Sequence, residues 1–145
     1  MGDPRDILLT LDSRLENVAL AGRASHALGA EAGLQPSDCD LLELCVVEAV
    51  TNSIVHAYGG ASGHEVRLQV SLFEDRIELR VMDVGTPMPP GLLEREEPEV
   101  PEDPLELPES GRGLFILRGF CDTVDYVSDA RGNVLTLVKR LRGPS

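Results

Sequence analysis

Two stretches of the chain alternate apolar and polar residues, and this constrains the fold more than any other feature. Val66, Leu68, Val70 and Leu72 alternate with Arg67, Gln69 and Ser71. After a Glu74-Asp75 turn, Ile77, Leu79 and Val81 alternate with Glu78, Arg80 and Met82. Successive strand side chains point to opposite faces, so the pattern predicts an antiparallel hairpin with one buried face. Such a face needs a cover, and the upstream residues supply it. Leu15, Val18, Ala19, Gly22, Ala24 and Leu28 recur at helical spacing, which predicts a helix over 13–31. Ser13-x-x-Glu16 reads as its capping box, and Gly33 as its stop. Pro36 and Ser37 open a second helix over 37–58, with Asp38 and Asp40 in the turn where the macrodipole favours acids. It ends at Gly59-Gly60. Residues 7–11 read as a first strand, and 123–128 and 134–141 as a second hairpin turning at 129–132. The order predicts an α+β two-layer sandwich, a mostly antiparallel mixed sheet with helices on one face, as a single domain over 1–145.

Residues 86–110 break this texture. Seven of the ten prolines lie between Pro87 and Pro108, and Glu94 to Glu109 holds eight acidic residues and one arginine. Missing backbone donors and mutual repulsion oppose collapse, so the segment is expected to be a long acidic lid. The whole chain carries 13 basic and 25 acidic residues, a net charge of −12, which argues against a nucleic-acid partner. No apolar run approaches the roughly 20 residues of a membrane span. The start MGDPRDILLT does not read as a signal peptide, so the cytoplasm is the expected compartment. Cys39, Cys45 and Cys121 lack metal-ligand spacing and read as reduced thiols in or near the core. His26, His56 and His64 form no H-x-x-x-H pair, so no zinc site is expected.

Three segments could carry chemistry. Glu48, Asn52 and His56 are spaced i, i+4, i+8 and form a slowly winding stripe on the second helix. Taken alone, they also fit a solvated helix face. Asp83-Val84-Gly85 closes a strand; the Asp can accept from a ligand amino group and the Gly permits close backbone approach, although a plain Asp-x-Gly turn reads the same way. Gly111-Arg112-Gly113-Leu114 opens the short helix that ends near Phe120. Glycines before a helix N-terminus expose N–H groups to an anion, or serve only as a hinge. The dinucleotide fingerprint and the Walker lysine are both missing.

In order and context these segments resemble the asparagine box and the two glycine boxes of the GHKL ATP-binding superfamily, whose fold is the Bergerat, histidine-kinase-like ATPase fold. The carriers are E-A-V-T-N-S-I-V-H-A-Y at 48–58, the strand-terminal D-V-G at 83–85 and G-R-G-L-F-I at 111–116. The small size and the H-A-Y ending are similar to the serine-kinase anti-sigma factors. That resemblance implies an ATP- and Mg²⁺-dependent protein-serine kinase that holds a sigma factor and phosphorylates a STAS-type anti-anti-sigma partner. It implies Asn52 as the Mg²⁺ ligand and Glu48 as general base on the incoming hydroxyl. Asp83 would accept from the adenine amino group, Gly85 would pack on the base, and Gly111, Arg112, Gly113 and Leu114 would take the phosphates. No membrane or direct nucleic-acid contact is implied; a homodimer is, because family members pair. Two departures stand out. Glu109 occupies the place where some members carry an Arg, and Gly132-Asn133-Val134 replaces a Gly-Thr-Thr near the adenine. They keep open an alternative reading, a nucleotide-binding partner-switch regulator without phosphoryl transfer. A detached histidine-kinase catalytic domain is disfavoured, since no phosphoacceptor helix pair accompanies it.

Overall fold

The computed structural model describes residues 3–89 and 109–141, with 109–114 described by backbone alone. The chain runs β1 (Arg5–Asp12), α1 (Glu16–Ala32), α2 (Pro36–Asn52), a π-helical turn (Ser53–Ala57), β2 (Glu65–Leu72), β3 (Arg76–Asp83), α3 (Glu109–Phe120), β4 (Thr123–Asp129) and β5 (Gly132–Arg140). The five strands form one sheet in the order β1-β2-β3-β5-β4. Every pairing among the described residues is antiparallel, so the expected mixed sheet has no parallel pair there.

Register follows from the alternation. Leu68 faces Val81 and Val70 faces Leu79, while Leu79 and Val81 face Leu137 and Leu135 across β5. A one-residue slip would turn all of them out to solvent, and this fixes the pairing. These inner-face residues join Leu42, Val46, Val50, Ile54 and Leu117 in one buried core, the two-layer arrangement expected from the sequence. Each fully buried Leu or Val contributes about 1.5–3 kcal/mol. At the end of α1, Gly33 takes φ 104°, and Leu34 N–H donates to Gly29 O at 3.0 Å, closing the helix and freeing the chain to enter α2 at Pro36. Among the described residues, no helix is long and apolar enough to cross a membrane.

Three local expectations are corrected. Ser13 does not cap α1, which starts at Glu16 without a side-chain cap. Its hydroxyl instead donates to Ala61 O at 2.7 Å and accepts from His64 N–H at 3.1 Å, tying the end of β1 to the loop before β2. A buried tertiary partner outcompetes the local cap here. Ser13→Ala should therefore cost about 1–2 kcal/mol, the loss of a buried pair of hydrogen bonds, rather than the smaller loss of a frayed helix end. Urea unfolding of the variant checks this. The second helix is α-helical only to Asn52; a wider turn follows, with Tyr58 N–H donating to Ser53 O at 3.3 Å. Periodicity of 3.6 cannot foresee that insertion. The third helix begins at Glu109, earlier than the glycine segment suggested. Of the lid expected at 86–110, residues 90–108 lie outside the described residues.

Candidate functional site

The inner edge of the sheet changes from apolar to polar at one row, where Asp83 of β3 faces Asn133 of β5, which in turn faces Ser128 of β4. Asp83 Oδ1 accepts from Asn133 Nδ2 at 2.6 Å and from Gly85 N–H at 3.2 Å. Asn133 also donates to Gly85 O at 2.9 Å, and its Oδ1 accepts from Ser128 Oγ at 2.7 Å. Asn133 is thus saturated by the protein and fixes the Asp83 carboxylate as an acceptor. Only 3% of it is exposed, so Asn133→Ala leaves its partners short of bonds in a dry place. We expect a loss of about 2–3 kcal/mol in urea unfolding.

After Asp83 the chain is held at every second amide. Val84 N–H donates to Tyr58 Oη at 2.9 Å, Thr86 N–H to Ala57 O at 2.9 Å, and Met88 N–H to Tyr126 Oη at 2.9 Å. Tyr58 in turn donates to Glu65 O at 2.7 Å and stacks on His64 at 4.6 Å. Burial pushes both phenols up, with the amide hydrogen bonds opposing it, so both stay protonated at neutral pH. Gly85 lies against the π-helical turn: a Cβ there would sit 2.6 Å from the Ala57 carbonyl carbon and 2.8 Å from its Cβ. Its lack of a side chain permits this close backbone contact within the chain.

Between the helix layer and this segment lies a cleft lined by Asn52 and His56 on one side and by Asp83, Thr86, Met88 and Tyr126 on the other. It spans about 330 Å³ counting its open mouth. Thr86 and Met88, in the strap formed by residues 84–88, make one wall of this cleft. Asn52 and Asp83 thus line one cleft. Glu48 does not line this cleft; it sits one turn earlier on α2, half-buried. Neither Glu48 nor Asn52 makes a side-chain hydrogen bond or ion pair with another described residue, which leaves their oxygens available to a hydroxyl or a hard cation. His56 is exposed on the cleft rim rather than packed at the helix end. No cluster of three His, Cys, Asp or Glu that could hold a metal occurs among the described residues. A cation here would need its other ligands from phosphates and water, which suits Mg²⁺.

Gly111 and Gly113 fall inside α3, which packs on α2. With the helix starting at Glu109, the Gly111 amide is one of the four without an intrahelical acceptor, whereas the Gly113 amide is in register for the Glu109 carbonyl. The side chains of Arg112 and Leu114 lie outside the described set. Sequence reasoning missed Ser128 and the two tyrosines, and saw Asn133 only as a departure. The short turn before Asn133 sets it opposite Ser128, whereas its place opposite Asp83 comes from the pairing of β5 with β3, which no local signal gives.

The comparisons with known proteins agree with this geometry. The serine-protein kinase RsbW of Listeria innocua is 31% identical over 125 residues, covering 85% of this chain and 80% of that protein. The anti-sigma F factor of Oceanobacillus iheyensis is 35% identical over 111 residues, covering 74% and 75%. In three dimensions the chain resembles the histidine kinase domain of a blue-light activated histidine kinase from Erythrobacter litoralis, with a TM-score of 0.50 at 20% identity. That likeness, of fold alone, covers 84% of this chain and 59% of the other. The family described as the histidine kinase-like ATPase domain matches residues 11–139, and the chain belongs to it.

Proposed function

We propose that the protein is an ATP-dependent serine kinase of partner-switching type, which holds a sigma factor and phosphorylates a STAS-type anti-anti-sigma domain. The observation that carries this reading is the Asp83 carboxylate, locked as an acceptor by Asn133 and Gly85, across the cleft from the uncommitted amide of Asn52. Asp83 receives the adenine amino group; the Asn52 amide oxygen holds Mg²⁺, which when bound neutralises charge on the phosphates. The free first-turn amide of Gly111, at the head of the segment that runs through Arg112, Gly113 and Leu114, takes the phosphate end. Glu48, outside the base cleft and on the same helix as Asn52, accepts the proton of the partner's serine hydroxyl as its oxygen attacks the terminal phosphorus and ADP leaves. Exposed Leu20 and Arg23, three residues apart on α1, offer a face to a protein partner or to a second copy in a homodimer. The activity belongs in the cytoplasm, where ATP and sigma factors are.

One observation favours a second reading, a regulator whose nucleotide is only a ligand: Glu109 opens α3, bringing an acid where a cation would meet the terminal phosphate. Incubation of the chain, Mg-ATP and a candidate STAS domain, followed by mass spectrometry for phosphoserine, separates the two. Phosphoserine that requires the chain supports the kinase; tight complex formation with no phosphate on the partner supports the regulator.

A further inference from the structure

Tyr126 keeps a hydrogen-bond donor that the strap leaves unused. It stands on β4 opposite Leu135 of β5, which stands opposite Val81 of β3. The next row on the same inner face, two residues along each strand, is Ser128, Asn133 and Asp83. Tyr126 thus rises from the row beneath Asp83, and both line the cleft. Its oxygen accepts from Met88 N–H at 2.9 Å. A phenol also carries one proton to donate, and that of Tyr126 meets no acceptor among the described residues. Tyr58 differs, because it accepts from Val84 N–H and gives its own proton to Glu65 O. Asn133 has nothing to spare: its amide hydrogens go to Asp83 and Gly85 O, and Ser128 occupies its oxygen. Asp83 receives Asn133 and Gly85 N–H on Oδ1 alone, which leaves Oδ2 open as an acceptor. Ser53 and Thr86 carry the other hydroxyls of the cleft, on the helix wall and on the strap.

We infer that Tyr126 is a specificity-determining residue for the base, its hydroxyl donating to adenine N1 while Asp83 Oδ2 accepts from the 6-amino group. This rests on the reading of the cleft as the adenine site. The amino group and N1 are bonded to one ring carbon, so the edge offers a donor and an acceptor side by side. An acceptor and a donor from adjoining rows of one sheet face match it; N7 lies one atom further from the amino group. Where the resemblance leads one to expect a threonine, this chain has the saturated Asn133, and the donor comes from the neighbouring row instead. The phenol oxygen then takes the Met88 amide proton and gives its own to the base, a chain in which each hydrogen bond strengthens the next. One oxygen thereby serves both the strap and the base.

The test is calorimetric titration of the full chain with the magnesium complexes of ATP, 1-deaza-ATP (carbon in place of N1) and 7-deaza-ATP. The wild type should bind 1-deaza-ATP about tenfold more weakly than ATP, the worth of one hydrogen bond, and 7-deaza-ATP within about twofold of ATP. Tyr126→Phe removes the strap's anchor together with the donor, so its ATP affinity alone does not separate the two roles. The ratio does: the variant should bind ATP and 1-deaza-ATP within about twofold of each other. Ser53→Ala and Thr86→Val should keep the tenfold preference. Equal binding of ATP and 1-deaza-ATP by the wild type would overturn the inference while leaving the adenine site intact. So would a tenfold preference that survives in Tyr126→Phe or is lost in Ser53→Ala or Thr86→Val, or a loss confined to 7-deaza-ATP. A folded wild type that binds none of the three nucleotides would overturn the adenine reading itself, and this inference with it.

Discussion

Glu48→Gln should reduce phosphoryl transfer to the partner's serine by about 10²–10⁴-fold, the usual contribution of a positioned general base, while ATP affinity stays within about threefold. The separation is expected because Glu48 does not line the cleft that holds Asn52 and Asp83, and makes no hydrogen bond with another described residue. The amide keeps the size of the side chain and removes its ability to take a proton. Asn52→Ala is the companion, and should instead abolish the Mg²⁺-dependent part of ATP binding in a calorimetric titration. If Glu48→Gln transfers phosphate at the wild-type rate, another group takes the proton and the assignment fails.

Gly85→Ala is expected to be strongly damaging, costing about 2–3 kcal/mol in urea unfolding. The added methyl meets the Ala57 backbone, which cannot rotate away as a side chain would. Relief requires the strap to lift, and lifting strains the Thr86–Ala57 hydrogen bond and the Gly85–Asn133 contact together. Nucleotide binding should weaken in parallel. Gly119→Ala makes the contrast: it lies in α3 with nothing near its absent Cβ, so the same change there should be neutral or stabilise by up to about 1 kcal/mol. A Gly85→Ala variant as stable as wild type would mean that the strap does not rest on the π-helical turn.

The layer structure was legible because burial writes itself into alternation. Val66 to Val81 specified faces, register and the side the helices must cover, and the helix ends at Gly33 and Pro36 followed from local backbone chemistry. What failed was local competition decided at a distance. Ser13 carried a good capping signal, but its partners, Ala61 and His64, are about 50 residues away. The turn at Ser53–Ala57 leaves no trace in hydrophobic period, since one wider turn at a helix end shifts few side chains. At the site, Asn52 and Asp83 were found through a motif, and the structure brings them to one cleft. Asn133 was visible only as a missing threonine, because its meaning depends on which strand lies opposite. Gly85 was singled out for close backbone approach, and the structure shows such an approach to the Ala57 backbone.

The strap at 84–88 hangs from two phenols, Tyr58 and Tyr126, and these are the chain's only tyrosines; it contains no tryptophan. Apart from three phenylalanines, its aromatic chromophores are therefore the two rings that hold the strap. Tyrosine emission and the tyrosine bands of the near-ultraviolet circular dichroism of the unmodified protein report on the strap. Opening of the strap can be followed by optical stopped flow, with no label introduced.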